Sequence, residues 1–467
     1  MDIKVKFISL FVFFIPVLIY AQGYYNNENF GNRSLLLGGN VTGSVNDLGL
    51  TYYNPARIAL IENPVFSINA KAYQLSSIRL KNVFGRDDKL SDSQFEGVPS
   101  LVSGTYKIEK WEKHHFAYAF ISRQRSSAGV NISRELDVEN LNDGTIDFDR
   151  LVGNLQLNSK ERDEWFGGTW GMKISENFSI GVSGFVSVFN FSTFYDLRLS
   201  SLDRSQNVDF FNNEINLSQN SYGMFWKLGF AWKLSKIDLG LNIDFPYLEV
   251  IKNGKFRYQR FLSGTLDGSD EFAYYNFKDI QSNRKEPLGI SVGAGVPLGK
   301  NMLHLKADWH GNLSEYNRLI IPDAEDGREG FSFEESLRSV INFGAGAEIY
   351  INDGMSLYAS FSTDFSPVEA SANIFDIIPN GDRDTDANFD ADYFHYGFGL
   401  EIKLNKVELI LGTTYSSASG DFAEPIDFPF EGIETPGSQD PSRIIVSRWR
   451  FIVGLEIPIF GYELEFK

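Results

Sequence analysis

The densest group of ionisable side chains lies in a short acidic stretch, residues 380–392. Four aspartates are spaced through it: Asp382, Asp384, Asp386 and Asp390. Carboxylates on one flexible loop are typical ligands of Ca²⁺, an ion that takes six to eight oxygens. The EF-hand register does not fit, because the sixth position counted from Asp382 is Ala387 instead of glycine. We therefore interpret the stretch first as a solvated acidic loop and keep a Ca²⁺ site at the four aspartates as the alternative.

A second polar group alternates along residues 304–310 and would share one face of a strand. It consists of His304, Lys306, Asp308 and His310. Such a group could bind a metal or act catalytically, but charges that line a wet interior explain it as well. The sequence contains no Gly-x-Ser-x-Gly elbow, no His-Glu-x-x-His and no P-loop. We therefore predict no catalytic residue, no enzymatic activity and no cofactor apart from the Ca²⁺ alternative.

Charge and cysteine content exclude further classes of function. The formal net charge is −18, which argues against a nucleic-acid partner because phosphate binding needs clustered lysine and arginine. The chain has no cysteine, so disulfides, thiolate catalysis, cysteine-based metal sites and a lipoprotein anchor are excluded.

The elements that must position these groups have a two-residue period. Bulky apolar residues form one face of the segment 221–234: Tyr222, Met224, Trp226, Leu228, Phe230, Trp232 and Leu234. The other face is small or polar, and Phe225 is its one large apolar exception. A tight turn near Ser235 leads into residues 237–245, which alternate in the same way. Two strands with matched faces and a short link predict a β-hairpin whose apolar face meets lipid.

The same pattern recurs fourteen times along the chain. The predicted strands start near residues 64, 100, 114, 165, 178, 221, 236, 285, 301, 338, 354, 393, 406 and 443. Six short turns fall near residues 111, 176, 235, 299, 352 and 405. Seven long polar connections cover about 78–99, 134–163, 197–220, 258–284, 318–337, 367–392 and 418–442.

This strict alternation of short and long connections predicts an all-β fold, a transmembrane antiparallel β-barrel of about fourteen strands. The aromatic content of 15% suits the girdles of rings at the two membrane surfaces. An even strand count predicts that both chain ends lie in the periplasm and that the protein resides in the outer membrane of a Gram-negative (diderm) bacterium. Its surroundings would then be outer-membrane lipid.

Three parts are predicted along the chain. Residues 1–21 read as a secretory signal, with Lys4 and Lys6 before an apolar core and a cleavage site after Ala21. Residues 22–63 precede the first strand, lack alternation and form an N-terminal plug, which we call the hatch. Residues 64–467 form the barrel, and the pairing of its last residues, 462–467, is left open.

The hatch sequence predicts how it would fold inside the lumen. Pro55 fixes its own φ and keeps Asn54 out of the helical region, so the segment from Ala56 can start a short helix with Pro55 near its first position. Gly38 and Gly39 permit a sharp bend. These features fit a static plug and a plug that moves during transport equally well.

The hatch resembles the N-terminal signature of the FadL/TodX family of outer-membrane transport proteins. The resemblance rests on the glycines at 38 and 39, on Val45-Asn46-Asp47 and on Tyr53-Asn54-Pro55-Ala56. It implies a fourteen-strand barrel with hatch residues Gly38, Gly39, Asp47, Asn54, Pro55 and Ala56. It also implies passive transport of hydrophobic molecules.

Two departures from the family pattern weaken the transport prediction more than the fold prediction. One acidic residue, Asp47, stands where two are common, and Arg57 follows Asn-Pro-Ala where glycine is frequent. The Gly-Gly and Tyr-Tyr-Asn-Pro-Ala forms are also similar to the branch that contains the PorV subunit of the type IX secretion system. Proteins of that branch keep the barrel but act as carriers or docking subunits.

A candidate lateral gate lies on the third strand. Alternation is clear up to Ile121, but Arg123, Arg125 and Ser126 follow where lipid-facing residues would be expected. A kink at this point could open the wall sideways, as the resemblance implies, although an ordinary strand that leaves the membrane explains the same residues.

We predict passive uptake of hydrophobic, fatty-acid-like small molecules through a hatch-plugged lumen. Aromatic residues of the long connections, such as Phe211 and Phe272, could capture the ligand or seat a protein partner. The alternative is a plugged barrel that does not transport and serves as a subunit of a larger outer-membrane secretion or assembly complex.

Overall fold

The structure is a computed structural model of the chain. It describes residues 24–61, 65–83, 86–94, 99–136, 148–203, 206–264, 270–322, 331, 333–370, 391–404, 407–422 and 442–458. Among these residues, no helix is long and apolar enough to span a bilayer. The signal sequence, the acidic stretch with Asp382, Asp384, Asp386 and Asp390, and the chain end after Pro458 lie outside the described residues.

Twenty strands account for most of the described residues. The first ten are β1 (Val65–Val83), β2 (Arg86–Gln94), β3 (Pro99–Lys107), β4 (His114–Leu136), β5 (Phe148–Ser175), β6 (Phe178–Asp203), β7 (Val208–Lys233), β8 (Asp238–Asp244), β9 (Leu248–Ser263) and β10 (Glu271–Ile280). The others are β11 (Gly289–Leu298), β12 (Asn301–His310), β13 (Leu313–Asn317), β14 (Glu334–Leu337), β15 (Val340–Asn352), β16 (Met355–Asp364), β17 (Val368–Ala370), β18 (Tyr393–Leu404), β19 (Val407–Phe422) and β20 (Ser442–Pro458).

Fourteen of these strands close into one antiparallel barrel. Its order is β1, β3, β4, β5, β6, β7, β8, β11, β12, β15, β16, β18, β19 and β20. Strand β20 then pairs with β1 from Val65↔Pro458 to Lys81↔Arg443, which completes the circle. The predicted fourteen-strand barrel is confirmed, and the last strand ends beside the start of the first.

The two rims of the barrel differ, as the alternation of connections predicts. Short links join the strand pairs at one rim, the turn end. Five of them are described and lie close to the predicted positions, and a 3₁₀ helix, Glu109–Trp111, forms one of these. Strands β18 and β19 end and begin on either side of the sixth position. Longer segments leave from the opposite rim, the loop end.

The outer face of the wall carries exposed apolar side chains in alternation. On β7, Tyr222, Met224 and Trp226 are about 40% exposed, whereas Phe225 between them is buried in the lumen. Similar outward residues are Ile341 and Phe343 on β15, Tyr396 and Phe398 on β18, and Phe451 and Val453 on β20. Solvation of so much apolar surface would be unfavourable in water, and a hydrocarbon environment removes that cost.

The predicted long connections are largely wrong between residues 134 and 284, because strands continue there. Strands β5, β6 and β7 have 28, 26 and 26 residues, far more than the roughly 9–11 that cross a bilayer. Strands β9 and β10 extend the same sheet beyond the loop end. Apolar-outward alternation stops at the membrane surface because water replaces lipid there, so the pattern ends before the strands do.

These extensions form an outer arm with its own hydrophobic core. The core contains Leu151, Leu155, Tyr195, Leu197, Phe211, Ile215, Phe256 and Tyr258 from the sheet, and Leu319 and Phe333 from the segment between β13 and β14. Phe211 is therefore a core residue instead of part of a capture surface, while Phe272 on β10 is 62% exposed. A smaller sheet of β13, β14 and β17 packs nearby over Tyr25.

Candidate functional site: the lumen and the hatch

The hatch residues 24–61 lie inside the barrel and are almost entirely buried. They contain two single-turn helices, α1 (Arg33–Leu36) and α2 (Leu50–Tyr53), and a 3₁₀ helix, Pro55–Leu60, with proline at its first position as the sequence predicts. The hatch backbone touches inward-facing wall glycines on β6, β8, β11 and β18: Gly181, Gly240, Gly293 and Gly397. Small residues in the wall thus make room for the hatch.

Asn54 joins two parts of the hatch to the wall. Its extended backbone precedes the 3₁₀ helix, and its side-chain oxygen accepts a hydrogen bond from Ala56 N at 3.1 Å. Its amide nitrogen donates to the carbonyl oxygens of Thr42 at 2.7 Å and of Phe230 on β7 at 3.0 Å. The residue is fully buried, so its bonds have no competition from solvent.

Replacing Asn54 by Asp tests this junction. Aspartate keeps the acceptor for Ala56 but removes the donor, which leaves two buried carbonyls without this partner and adds a buried charge. We expect the free energy of unfolding to fall by about 1–3 kcal/mol. Thermal unfolding in detergent measures it. Asn352→Asp is the matched control, because exposed Asn352 only accepts from Gly354 N; an equal loss in both variants would contradict the junction.

Asp47 fixes the start of α1. Its carboxylate accepts hydrogen bonds from the backbone and hydroxyl of Ser34, at 2.8 and 2.7 Å, and from Gly49 N at 3.0 Å. Complete burial raises the pKa of this carboxyl above its ordinary value, and the bonds from Ser34 oppose the shift. The single carboxylate of Asp47 therefore joins the start of α1 to the backbone just before α2.

Gly38 and Gly39 make the bend after α1 with φ angles of 63° and 73°. This left-handed conformation favours glycine, as the sequence predicts for a sharp turn. A side chain at Gly39 would also lie 2.5 Å from the Asn29 side-chain oxygen, so the bend has no room for one.

Arg57, the residue that departs from the family pattern, connects the 3₁₀ helix of the hatch to residues 43–45 and to the wall. Its guanidinium donates to the carbonyl oxygens of Gly43 at 2.8 Å and Val45 at 3.0 Å, and it lies 3.5 Å from Asp238 on β8. Glycine at this position would leave these buried carbonyls without that donor. The arginine therefore holds residues 43–45 against the 3₁₀ helix.

Arg33 connects the hatch to three wall carboxylates near the turn end. Its guanidinium lies 3.2 Å from Glu401 on β18, 3.3 Å from Glu408 on β19 and 3.8 Å from Glu456 on β20. Glu401 also accepts a hydrogen bond from the Tyr358 hydroxyl at 2.9 Å. One hatch cation thus offsets three acids of the wall, a contact that no sequence spacing reveals.

The first described residues rise through the lumen towards the loop end. The hydroxyl of Tyr24 donates to Ala391 O at 2.7 Å, and the backbone of Tyr25 and Asn26 donates to Asp364. The Tyr25 ring stacks on His310 with ring centroids 3.6 Å apart. The hatch therefore spans most of the lumen height. It also contacts His310, one of the polar residues that alternate along β12.

The other polar residues on this face of β12, His304, Lys306 and Asp308, are also held by contacts within the protein. His304 accepts or donates a hydrogen bond with the Ser44 hydroxyl at 2.6 Å, and Lys306 pairs with Asp308 at 2.7 Å. Within the described residues, no group of three or more potential ligands is arranged to hold a metal ion.

An aromatic chamber lies between the hatch and the loop end. Trp165 stacks on Phe225 with centroids 4.2 Å apart, and Phe225 stacks on Tyr247 at 4.7 Å. Tyr52 of the hatch approaches Trp165 at 5.8 Å. A cavity of about 40 Å³ borders these rings, room for a few waters but not for an organic ligand. Phe225, the exception in the strand pattern, is part of this chamber.

The candidate gate residues lie where the wall is interrupted. The pairing of β4 with β5 shifts register between Ser122 and Gln124, which makes Arg123 a β-bulge. The pairing of β3 with β4 ends at Leu101↔Ile121, and within the described strands β2 pairs with β1 but not with β4. Beyond Ile121, β4 therefore has a described partner on one side only.

The three gate candidates differ in environment. Arg123 points into the lumen and forms two 2.8 Å hydrogen bonds with Glu286. Arg125 and Ser126 lie in regular pairing with Arg162 and Glu161 of β5. Only Arg123 thus coincides with the irregularity, and its partner is 163 residues away in sequence.

Solved structures share this fold over most of the chain. The FadL homologue of Pseudomonas aeruginosa matches 94% of this chain over 99% of its own length, with a TM-score of 0.54. The fold is that of the FadL-type barrels. The toluene transporter TodX of P. putida matches 93% of the chain over its full length (TM-score 0.54), and TbuX of Ralstonia pickettii matches 93% (TM-score 0.51).

The likeness to FadL-type barrels is one of fold. Sequence identity is 12% to the P. aeruginosa protein, 13% to TodX and 10% to TbuX. No protein-family model matches the sequence, and no curated protein matches it. A shared fold at this level of identity does not establish a shared function, which has to be argued from the residues of this chain.

Proposed function

We propose that this protein is an outer-membrane barrel for passive uptake of hydrophobic small molecules. The observation that carries the proposal is the wall interruption beside Arg123. It adjoins a lumen lined by Trp165 and Phe225, while Tyr118 and Phe166 face outward just towards the turn end. An apolar molecule that entered the chamber would thus lie beside this interruption and close to the outward apolar belt.

The proposed route starts at the loop end and passes the aromatic chamber. Release then follows either sideways through the interruption or past a displaced hatch. Apolar transfer from water to the bilayer is favourable, so uptake needs no energy source in the chain. Fatty-acid-like amphiphiles and small aromatic molecules are the ligand classes to test, the latter because TodX is a toluene transporter.

Removing the bulge tests the lateral route. Deleting Arg123 makes Ser122 and Gln124 consecutive, so they can pair regularly with Glu164 and Asp163. We expect uptake of a labelled fatty acid or of toluene by cells to fall at least about tenfold, since the β4–β5 pairing then loses the bulge that bends β4. Arg123→Ala is the matched control, because it loses the same side chain but keeps the bulge. Equal uptake by both variants would argue against a lateral exit.

The proposed location is the outer membrane of a Gram-negative (diderm) bacterium, with lipid around the apolar belt. The turn end, where the last strand ends, would then face the periplasm. A Ca²⁺ site at Asp382, Asp384, Asp386 and Asp390 stays a prediction.

A sealed barrel within a secretion or assembly complex is the second candidate. The extensive hatch contacts around the wall favour it, and so does the outer arm, which offers a large surface to protein partners. Isolation in mild detergent followed by mass spectrometry separates the two. Stoichiometric partners together with no uptake would support the complex and contradict transport.

A further inference from the structure

A short segment between β10 and β11, residues 281–288, crosses the loop end of the lumen. We call it the strap. Its start pairs with the segment after β13, through Asn283 N to Arg318 O and Ile320 N to Gln281 O, both at 2.9 Å. Its end is held by Gly311 N, which donates to Leu288 O at 3.0 Å. The strap is therefore fixed at both ends and free of regular pairing between them.

The middle of the strap is held by a buried ionic network. The Arg284 guanidinium lies 2.7 Å from Asp163 on β5 and 2.6 Å from Glu286 of the strap itself. It also donates to the Ser187 hydroxyl at 3.0 Å. Glu286 in turn accepts both hydrogen bonds from Arg123 on β4. Arg284 and Asp163 are no more than 2% exposed, so solvent hardly screens these charges.

The strap also seals the aromatic chamber. The Arg284 guanidinium lies over Phe189 at 4.1 Å and over Tyr247 at 4.7 Å from the ring centroids. Arg123 lies over Trp165 at 5.0 Å. Arg284 of the strap thus covers the rings of Phe189 and Tyr247, and a ligand from outside has to displace it, whereas Arg123 over Trp165 belongs to the wall.

The charges are divided between strap and wall so that the strap can leave as a unit. Of the four charges of this network, it would take one cation and one anion, Arg284 and Glu286, away from the lumen. Lys285 of the strap lies over the Tyr316 ring instead, 4.4 Å from its centroid. Arg123 and Asp163 would remain, and they already lie 3.3 Å apart. Each half of the network thus keeps one charge of each sign, and an unpaired buried charge is the usual reason that buried ion pairs resist opening.

We propose that the strap is the outer gate of the lumen, closed by the Arg284–Asp163 and Glu286–Arg123 contacts and distinct from the hatch. It opens when Arg284 and Glu286 leave together. The gate serves the proposed uptake function, but its opening is a property of the chain and can be measured without any ligand.

Thiol labelling tests the gate, since the chain has no cysteine of its own. Ser187→Cys places a probe directly beneath Arg284, where the residue is fully buried. In this background, the purified protein in detergent is compared with the Arg284→Ala/Glu286→Ala pair, which removes both strap charges and keeps Arg123 with Asp163. We expect a water-soluble maleimide to react at least about tenfold faster with the pair variant.

Three controls make the result decisive. Arg150→Ala/Glu135→Ala removes an exposed ion pair on the outer arm and should leave labelling unchanged. Arg33→Met, which loosens the hatch, should also leave it unchanged if the strap is a separate gate. Lys160→Cys, an exposed position, gives the rate of an open site. Each protein is first checked for the heat-dependent gel mobility of a folded barrel.

Two results would overturn the proposal. A probe at 187 that reacts in the unmodified strap as fast as one at 160 would show that nothing is closed. Equal acceleration by Arg33→Met would show that the strap is not a gate of its own. If the probe at 187 reacts as expected for a closed strap but cells take up neither the labelled fatty acid nor toluene, only the proposed uptake function is contradicted.

Discussion

Replacing Arg33 by methionine is expected to lower the free energy of unfolding by about 3–5 kcal/mol, because the change leaves three wall glutamates without their shared cation. Glu401 is almost completely buried, so water cannot replace the arginine there. The hatch should detach from β18, β19 and β20 first. Thermal unfolding in detergent and hydrogen exchange of the α1 amides measure the two effects.

Two further variants show whether charge is the cause. Arg33→Met combined with Glu401→Gln removes one stranded carboxylate and should recover part of the stability. Arg150→Met breaks an ion pair whose side chains are 58% and 55% exposed, so it should hardly change the unfolding temperature. Unfolding of Arg33→Met at the wild-type temperature would mean that the contact contributes nothing to holding the hatch.

Adding a single methyl group at Gly181 is expected to push the 3₁₀ helix off the wall. An alanine Cβ would lie 2.4 Å from the Pro55 carbonyl carbon and 2.6 Å from Ala56 N. Both are backbone atoms, so no side-chain rotation relieves the clash, and we expect a loss of about 1–3 kcal/mol. Faster hydrogen exchange at Ala56–Leu60, together with a lower unfolding temperature, would show it.

Gly168→Ala is the matched control on the neighbouring strand. Its nearest atom would be Ala117 O at 3.8 Å, an ordinary contact, so stability should hardly change. If Gly181→Ala exchanges like Gly168→Ala, the hatch does not need the space that the wall glycine provides.

The barrel could be predicted from sequence because lipid and lumen impose opposite demands on alternate residues. The pattern on β7 fixed both its extent near the membrane and its faces, and Asn54-Pro55-Ala56 predicted the short helix that follows. The outer arm could not be predicted, because its outer face contacts water instead of lipid. A stripe of apolar residues therefore does not mark its strands. Phe225 departs from the alternation because its ring stacks on Trp165 inside the lumen.

The contacts that hold the site were beyond sequence reasoning for a different reason. Arg123 meets Glu286 across 163 residues, and Arg33 meets Glu408 across 375. No local rule links positions so far apart, because only closure of the barrel brings them together. The charge of Arg123 is a local signal because it follows an alternating strand segment. Arg284 and Arg33 lie in segments without such a pattern, so no local signal marks them.

The position of the hatch at the start of the chain has a consequence for folding. Its Glu28 pairs with Arg450 on the last strand, 422 residues later in sequence. Contacts of such large sequence separation form slowly, because the loop that joins them must be closed at an entropic cost. The hatch can therefore complete its interface only when the final strand arrives, so docking of the hatch and closure of the cylinder belong to one late event.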